Sequence, residues 1–494
     1  MKKKVAVVKV QSPHDIRWNL PGYVSRAFGF LGKRFDVLND INGNPFMPQL
    51  TPYYLAALGM QADTTGQYSF EVIDTEPGKI NLSGYDMAWI TCSTTTAPLV
   101  YNLADTAQMQ GVEVVLGGIH PSMRPEEALL HASSVAIGEA ESIVPQLLRD
   151  FLNGGLREKY QGERRGELRG LPTPAWELAN PGYTKWVLPM QTSRGCGNAC
   201  PYCSTTRFEG AERRHRPIEE IIAELQGYVE TGRLTDSVAI FFTDNDCVAD
   251  TDHRKGLFDT TYSKSLFREL IQFRDRTNVN FGWVGQGEIN LADDPELLEL
   301  MARSGCTKIL IGYESLAQNN MQEHSKSGND VERYAQQTQN IHDYGIDIIG
   351  CFIVGLPFDD PGVFERTRLF IRDNVIDVPQ ISVPTPYPRT KFYRDAEGEG
   401  RIFDRDWSRY DITHVVMHPE CKTEDGSVMT AQQLDNSYVN LARQVYSWPE
   451  MLSRCGKTAL RRVVHDYNPR SRVDRFVSTL ATNWVYRQLG RVGR

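Results

Sequence analysis

The sequence contains no long apolar run. Its longest, Ile348–Leu356, has nine residues, about half of what a transmembrane helix needs. Near the N-terminus, Lys9 interrupts the apolar stretch that follows a basic start, which leaves it too short for the core of a secretion signal. These absences argue against membrane-spanning and exported proteins, so we expect a cytoplasmic enzyme.

Cysteine is scarce and neither sign of charge dominates strongly. Nine unevenly spaced cysteines in 494 residues do not make a secreted disulfide scaffold. The net charge of −8 argues against a general nucleic-acid binder. With 40% apolar and 23% charged residues, the chain has globular composition, and its length suggests about three domains.

Residues 1–153 alternate short β-branched runs with segments of helical length. Such alternation predicts a doubly wound parallel sheet, in which ligands bind at the carboxyl ends of the strands. Several of these ends are followed by Gly, Ser or Thr. The predicted strands cover residues 5–10, 70–73, 87–91, 112–116 and 135–137.

The rest of the chain divides into three parts. Residues 154–187 are charged and rich in Gly and Pro, which predicts a linker. Residues 188–400 resume the strand–helix alternation with six units, too few for a closed eight-fold barrel, so a partial barrel is expected. Residues 401–494 lose the strand pattern and predict a mainly helical domain. The barrel strands are predicted at 188–192, 238–242, 281–284, 308–311, 348–354 and 381–384.

The segment R-G-C-G-N-A-C-P-Y-C is the clearest candidate for a metal-binding motif, because of the spacing of its three cysteines. It places Cys196, Cys200 and Cys203 on one short loop directly after a predicted strand. Three thiolates so spaced can bind three irons of a [4Fe–4S] cluster and leave the fourth iron open. A structural zinc site would need a fourth ligand. The nearest candidate is His215, twelve residues after Cys203 and among arginines.

This loop resembles the signature of the radical S-adenosylmethionine (radical SAM) superfamily. The resemblance implies that SAM binds the open iron and is cleaved by one electron to a 5′-deoxyadenosyl radical, which abstracts a substrate hydrogen. It also implies a reducing partner such as flavodoxin or ferredoxin. Tyr202, directly before the last cysteine, would shield the cluster.

Segments that end the later barrel strands resemble the SAM-binding segments of the same superfamily in chain order. An acidic residue at a strand end can instead simply cap the next helix. At 386–390 the sequence P-Y-P-R-T departs from the related Pro-Gly-Thr, so Arg389 either faces a substrate anion or is solvated. The implied SAM contacts are Tyr202, Thr243, Asp244, Glu288, Asn290, Glu314, Ser315 and Gly355.

The N-terminal part resembles the cobalamin-binding domain that precedes the barrel in one radical SAM class. The D-x-H-x-x-G motif that supplies an axial histidine elsewhere is absent, so bound cobalamin would lack that ligand. His120 is predicted to cap a turn. Matching segments at 72–75, 91–96, 114–122 and 136–141 imply cobalamin contacts from Asp74, Ser93, Thr94, Gly117, Gly118, Gly138 and Glu139.

Residues 399–419 resemble the region after the barrel in hopanoid C-2 methylases. Together the resemblances imply cobalamin-dependent methylation of an unactivated carbon in a small-molecule or lipid substrate. The acidic net charge leads us to expect no nucleic-acid partner. A radical cyclase or a C–C or C–S bond-forming enzyme with the same domains is the alternative. A non-catalytic iron–sulfur electron carrier is a third hypothesis, which the open-iron spacing disfavours.

The basic C-terminus predicts one amphipathic helix over 472–491. Two interpretations remain: the helix rests on an anionic membrane as a peripheral contact, or its apolar face packs on the barrel and its arginines are solvated. The apolar positions are Val473, Phe476, Val477, Leu480, Trp484 and Val485, and the basic ones are Arg472, Arg475, Arg487 and Arg491.

Overall fold

Two six-stranded sheets organise the protein, and every neighbouring pair of strands in them is parallel. The first sheet has the order β2-β1-β3-β4-β5-β6. Its strands are β1 (Lys3–Val10), β2 (Tyr68–Thr75), β3 (Met87–Thr91), β4 (Glu113–Gly117), β5 (Ser134–Ile137) and β6 (Lys159–Gln161). The computed structural model describes residues 2–11, 48–75, 77–180, 182–198, 200–252, 255–323, 329–461, 463–464 and 472–489.

Helices cover both faces of the first sheet, because successive side chains of a strand point to opposite faces. Val5 and Val7 pack in one apolar cluster, whereas Ala6 and Val8 pack in another. The first cluster includes α1 (Leu50–Ala62) and α5 (Ile143–Leu152), and the second includes α2 (Ala97–Met109). This arrangement confirms the predicted doubly wound sheet. Two short helices, α3 (Ile119–Met123) and α4 (Pro125–Leu129), follow β4.

The second sheet has the order β16-β15-β14-β13-β10-β7 and is the predicted six-stranded partial barrel. β7 and β16 therefore form its two edges, and its core is centred on Trp283, which stacks on Phe267 with ring centroids 5.1 Å apart. Its strands are β7 (Val187–Met190), β10 (Ala239–Phe242), β13 (Gly282–Gly287), β14 (Cys306–Glu314), β15 (Asp347–Ile353) and β16 (Val378–Ser382). The helices along it are α7 (Ile218–Glu230), α8 (Thr261–Thr277), α9 (Pro295–Ser304), α10 (Gln318–Glu323), α11 (Tyr334–Asp343) and α12 (Val363–Asp373).

Two small antiparallel pairs lie outside the large sheets. β8 (Ser193–Arg194) pairs with β9 (Arg214–His215), and β11 (Asp250–Asp252) pairs with β12 (Leu257–Asp259). The first pair closes the base of a loop that contains the three cysteines and α6 (Ser204–Glu209).

Residues 154–187, which were predicted to form a linker, contain a strand and packed aromatic side chains. Residues 159–161 form β6 at the edge of the first sheet, and Tyr160 is buried. Farther along, Trp176 and Tyr183 pack around Tyr53 of α1, with ring centroids 4.7 and 5.3 Å from it. These aromatic side chains bury apolar area against the first domain, so this segment joins the two sheets through packed contacts.

The C-terminal region is mainly helical after residue 430, as predicted. Arg475 is buried rather than solvated, and Arg487 donates a hydrogen bond to the Tyr446 carbonyl. Leu480 and Trp484 are also buried, and Trp484 stacks on Trp448 at 5.4 Å. The apolar face therefore packs within the protein. The helices are α13 (Lys391–Gly398), α14 (Ala431–Val445), α15 (Trp448–Leu460) and α16 (Arg472–Leu489); the side chains of Arg472, Val473 and Val485, and Arg491 altogether, lie outside the described part.

No helix among the described residues is long and apolar enough to cross a bilayer.

Candidate functional site

The cysteine loop, residues 195–213, leaves the barrel next to the end of β7. Gly195 adopts φ +90°, and a Cβ there would lie 2.1 Å from the Glu212 carbonyl oxygen. A Cβ on Gly197 would lie 1.5 Å from the carbonyl oxygen of Thr251 in β11. Only glycine avoids these overlaps, so both positions keep the loop tightly folded against the barrel.

Cys196, Cys200 and Cys203 are half-buried, whereas five of the other six cysteines are buried. The amide of Cys203 donates to the Cys200 carbonyl at 3.1 Å, and α6 begins directly after Cys203. Burial, with the nearby charge of Asp246, raises the pKa of Cys196 well above its usual range. A bound metal deprotonates a thiol outright. The loop therefore fits an iron–sulfur cluster, which would hold the Cys196 sulfur as a thiolate.

The structure offers little support for the zinc interpretation. His215 lies close to Asp250, with its Nε2 2.9 Å from Oδ2, and it stacks on Tyr262 at 3.8 Å. Within the described residues, no three His, Cys, Asp or Glu side chains, the three loop cysteines included, are grouped as ligands of a single metal ion. Tyr202, the residue expected to shield the cluster, packs against the apolar group that contains Phe392 and Tyr393.

The end of β10 carries two buried aspartates with different surroundings. Asp244, a predicted SAM contact, accepts hydrogen bonds from the Thr192 amide at 2.7 Å and the Ser193 hydroxyl at 2.8 Å. Its neighbour in the prediction, Thr243, donates to the Met190 carbonyl at 3.3 Å. Both residues thus hold the end of β10 to the segment that leads into the cysteine loop.

Asp246 was missed from the sequence, although it lies in the same F-F-T-D-N-D-C segment. Its carboxylate is buried and accepts the amides of Val248 and Ala249 at 2.8 and 3.0 Å. Burial and the charge of Glu288 raise the pKa of Asp246. The alternation of Asp244 and Asp246 in an extended segment was the available signal.

The end of β13 contacts the cysteine loop directly. Glu288 is 3% exposed and accepts a hydrogen bond from Asn198, which lies between Cys196 and Cys200. Asn290, the other predicted residue here, donates to the Asn329 side chain at 3.3 Å. The structure therefore brings Glu288 close to the loop, whereas Asn290 faces the segment before α11.

The ends of β14 and β15 are joined by Asp359, a residue that the sequence analysis missed. Its Oδ2 accepts the amides of Gly355 and Leu356, both at 2.9 Å. Its Oδ1 accepts from Asn320 at 2.8 Å and from the hydroxyl of Ser315 at 3.4 Å. Burial raises the pKa of Asp359 to about 6 despite these donors. Asp359 thus clamps two predicted SAM contacts, Ser315 and Gly355, to each other.

Backbone geometry at these two strand ends is unusual. Glu314 adopts φ +60° at an irregularity in the pairing of β14 with β15. Gly355 adopts φ +96°, and a Cβ there would lie 2.7 Å from Leu434 of α14. The positive φ favours glycine at Gly355 and strains Glu314, as often happens at ligand sites.

Two adjacent cavities lie between the carboxyl edge of the first sheet and the cysteine loop. The inner cavity has a volume of about 190 Å³ and is lined by Gly117, Gly118, Gly138 and Glu139 on the sheet side. The arginine cavity has a volume of about 500 Å³ and shares Gly138 and Glu139. Phe208 of α6 lines both. Four of the seven predicted cobalamin contacts therefore meet at this place.

The other three predicted cobalamin contacts are not among the residues that line either cavity. Asp74 accepts hydrogen bonds from Tyr183 and Gln11. Ser93 forms a capping box with Thr96, in which each side chain bonds the other's backbone. The Thr94 hydroxyl lies 3.3 Å from Nδ1 of His120. Each of these side chains has a partner in the first domain.

His120, expected to cap a turn, is fully buried, and both of its ring nitrogens lie beside side chains. Its Nδ1 faces Thr94 and its Nε2 lies 3.4 Å from Glu127. The edge of its ring packs against Trp407 at 5.2 Å. His120 is not among the residues that line either cavity, and both of its ring nitrogens have partners within the first domain.

A buried ion network joins the end of β5 to the start of the cysteine loop. Nη1 of Arg194 lies 2.7 Å from Glu141 and 3.5 Å from Glu139. Arg214 in β9 donates to Glu139 at 2.5 Å, and Tyr54 of α1 donates to Glu141 at 2.6 Å. The carboxyl edge of the first sheet is thereby fixed against the strand that leads to Cys196.

Comparison with known families agrees with this geometry. Residues 190–371 match the profile of the radical SAM superfamily, a range that includes the cysteine loop and the ends of β10, β13, β14 and β15. The protein is a radical SAM enzyme. A radical SAM domain implies a [4Fe–4S] cluster and SAM as cofactors.

Relatives of this radical SAM enzyme include two methylating enzymes. Bacteriochlorophyllide d C-12(1)-methyltransferase of Chlorobaculum tepidum is 29% identical over 76% of this chain and 77% of its own length. Hopanoid C-2 methylase of Rhodopseudomonas palustris is 26% identical over 62% of this chain and 56% of its own. The radical SAM methyltransferase TsrM from Kitasatospora setae, solved with cobalamin and a [4Fe–4S] cluster, has a TM-score of 0.57 and 15% identity, with 81% of this chain and 75% of TsrM covered.

The fold of this radical SAM enzyme is similar to that of TsrM over 81% of this chain and includes a domain before the barrel. Glycines line its sheet edge at the inner cavity: Gly117, Gly118 and Gly138 present no side chain there. These residues fit a planar macrocycle laid across the carboxyl edge, where parallel sheets bind ligands.

Proposed function

We propose that this radical SAM enzyme methylates an unactivated carbon of a small molecule with cobalamin as the methyl carrier. One observation carries the proposal: the glycine-lined edge of the first sheet faces the cysteine loop across two cavities. A macrocycle on that edge would lie on the same side as the cluster. The methyltransferase names of the relatives support the same activity.

The residues that would hold each group follow from their positions. The three cysteines would bind the cluster, and Glu288, Ser315 and Gly355 lie at the strand ends expected to contact SAM. Gly117, Gly118 and Gly138 would contact cobalamin, whose chemistry here is to deliver a methyl group to a carbon radical. The buried network around Arg194 would hold the two cofactor regions at a fixed separation.

The decisive experiment is an anaerobic incubation of the reconstituted enzyme with SAM and a reductant, followed by product analysis. Methylation predicts S-adenosylhomocysteine together with 5′-deoxyadenosine, because one SAM supplies the methyl group and another the radical. If the cobalamin-loaded enzyme releases 5′-deoxyadenosine alone, the methylation proposal fails. The alternative, a radical cyclase or C–C or C–S bond-forming enzyme, would then take its place.

Cobalamin binding is tested separately. Protein prepared with hydroxocobalamin should show a corrin spectrum, and His120→Ala should leave that spectrum unchanged because His120 is bonded to Thr94 and Glu127 within the first domain. Protein that remains colourless would contradict the cobalamin assignment. A spectral shift in the variant would instead show that His120 is an axial ligand.

We further propose a cytoplasmic enzyme that receives electrons from a small carrier such as flavodoxin or ferredoxin. No disulfide joins any of the nine cysteines, all of which lie in the described part of the chain, and this fits a reducing compartment. The packing of Leu480 and Trp484 leaves that face of α16 unavailable for peripheral membrane contact. Mixing the oxidised enzyme with reduced flavodoxin should bleach the cluster absorbance.

A further inference from the structure

The arginine cavity is lined by several positively charged side chains to which the proposed function assigns no role. Its wall includes four arginines that come from three separate parts of the chain, together with Ser122, Gly138 and Gly162. Its one acidic lining residue is Glu139, and that carboxylate is already paired with Arg194 and Arg214. The four arginines are Arg164, Arg207, Arg389 and Arg394.

None of these four arginines forms an ion pair with a described residue, although the chain as a whole is acidic. Arg164 donates to the Phe208 carbonyl at 3.2 Å, and Arg389 donates to the Ser122 carbonyl at 3.4 Å. Arg394 donates to the Arg389 carbonyl at 3.4 Å. These single bonds orient the side chains and leave most of their donors free, since each guanidinium has five N–H groups.

Like charges around one cavity repel each other, so their convergence favours an anion between them. Arginine is the side chain best suited to this role, because its planar fork binds carboxylate or phosphate through two parallel hydrogen bonds. Arg389 also adopts φ +61°, a conformation in which glycine would be free of strain. That backbone brings an arginine side chain to the cavity wall.

The cavity lies beside the cysteine loop. Arg207 is on α6, four residues after Cys203 and thus about 6 Å farther along the helix axis. Arg394 is on α13, and the Phe392 amide of that helix donates to the carbonyl of Pro201 in the loop at 3.0 Å. A molecule anchored by these arginines would therefore lie next to the cysteine loop.

We propose that the arginine cavity binds a carboxylate or phosphate group of the substrate. This inference rests on the proposed function only in assigning the anion to the substrate. The binding chemistry itself depends on the four arginines. The phosphodiester of cobalamin is a second source of the same oxyanion chemistry, and the experiment must distinguish it from the substrate.

The test is anaerobic calorimetric titration of the reconstituted enzyme with tricarballylate and, separately, with inorganic phosphate. Each titration is done on the cobalamin-loaded and on the cobalamin-free protein. The variant is Arg207→Gln/Arg394→Gln, since both side chains are exposed and their loss should not disturb folding. The control is Arg303→Gln, an exposed arginine on α9 that pairs with Glu299. Iron and cobalamin content are measured for every protein.

We expect at least one probe to bind the wild type and the control equally and the double variant at least about tenfold more weakly, because each charge-assisted bond contributes substantially. Cobalamin content should not change. Absence of binding by the wild type, or equal binding by the double variant, would overturn the inference. Binding that only the cobalamin-free protein shows, or loss of cobalamin from the variant, would assign the arginines to the cofactor and also overturn it.

These readouts are binding measurements, so they do not depend on the reaction. An enzyme that releases 5′-deoxyadenosine alone would refute methylation and leave the anion site intact. Conversely, a methylating enzyme that binds neither probe would retain its proposed function and lose this inference.

Discussion

Replacing Arg194 by Met should destabilise the protein and loosen the cysteine loop. The Arg194 side chain is 9% exposed, and the carboxylates of Glu139 and Glu141 are 6% and 7% exposed. Met preserves much of the apolar stem but removes the charge. Glu139 would keep Arg214, whereas Glu141 would keep only the Tyr54 hydroxyl among the side chains of this network.

Leaving a buried carboxylate without its cation costs about 3–5 kcal/mol in the free energy of unfolding. Because the variant's cost comes from the stranded charge of Glu141, removing that charge as well should recover much of the stability. We therefore expect Arg194→Met/Glu141→Leu to be more stable than Arg194→Met, with a coupling energy of about 2 kcal/mol. An exposed control, Arg303→Met, should cost less than about 1 kcal/mol.

The assay is urea unfolding at pH 7, followed by tryptophan fluorescence, with iron content measured after reconstitution. Burial alone would raise the pKa of Glu141. The charge of Arg194 and the hydrogen bond from Tyr54 together lower this pKa by more than burial raises it, so the net shift is downward. The stability from this pairing is therefore present above the ordinary pKa and is lost as the pH falls below it. The difference between wild type and Arg194→Met should shrink in acid. Two results would contradict this prediction. One is an unchanged urea midpoint for Arg194→Met. The other is a double variant whose loss in the free energy of unfolding exceeds the sum of the losses in Arg194→Met and Glu141→Leu.

Three further results are expected. A triple alanine variant of the cysteine loop should lose the iron–sulfur absorbance and SAM cleavage; retention of about four irons would contradict the cluster assignment. Asp359→Asn should weaken SAM binding about tenfold, because the new amide nitrogen would face N–H groups that now donate hydrogen bonds to the Asp359 carboxylate. Equal SAM affinity of the variant and the wild type in equilibrium dialysis would argue against the clamp. Although burial opposes it, hydrogen bonds from His120, Arg124 and Trp407 lower the pKa of Glu127 to about 2. Glu127→Gln should thus lose about 1 kcal/mol of stability above pH 4.5 and progressively less in acid, after allowance for solvent screening; a loss independent of pH would contradict this.

Sequence patterns predicted the strands well where side-chain periodicity is strong. The run that forms β1 is β-branched and buried on both faces, so its apolar pattern is continuous and unmistakable. By contrast, β6 has only three residues, Lys159–Gln161, in a charged segment. It forms because Val135–Ile137 of β5 offers a free edge to pair with, which no local pattern within 159–161 reveals.

Cofactor-binding residues could be predicted from the sequence where they lie close together in the chain. Cys196, Cys200 and Cys203 lie on one loop, so their spacing alone indicates a cluster. Asp359 acts through Ser315, 44 residues earlier in the chain, and its position in G-L-P-F-D-D gives no local indication of that contact. Its clamp exists because parallel strands bring their carboxyl ends to one edge.

The same distinction explains why the substrate was not predictable. Arg164 lies after the edge strand of the first sheet, Arg207 on the helix after the cysteines, and Arg389 and Arg394 beside α13, so 230 residue positions separate the first from the last. The sequence singled out only Arg389, as either facing a substrate anion or solvated. Individually each of the four is an exposed arginine, which in most proteins is simply solvated. Their shared cavity arises only when the first sheet docks on the cysteine loop through Arg194. The cysteines of the cluster are thus encoded locally, whereas the groups that would select a substrate are assembled by the packing of the two domains.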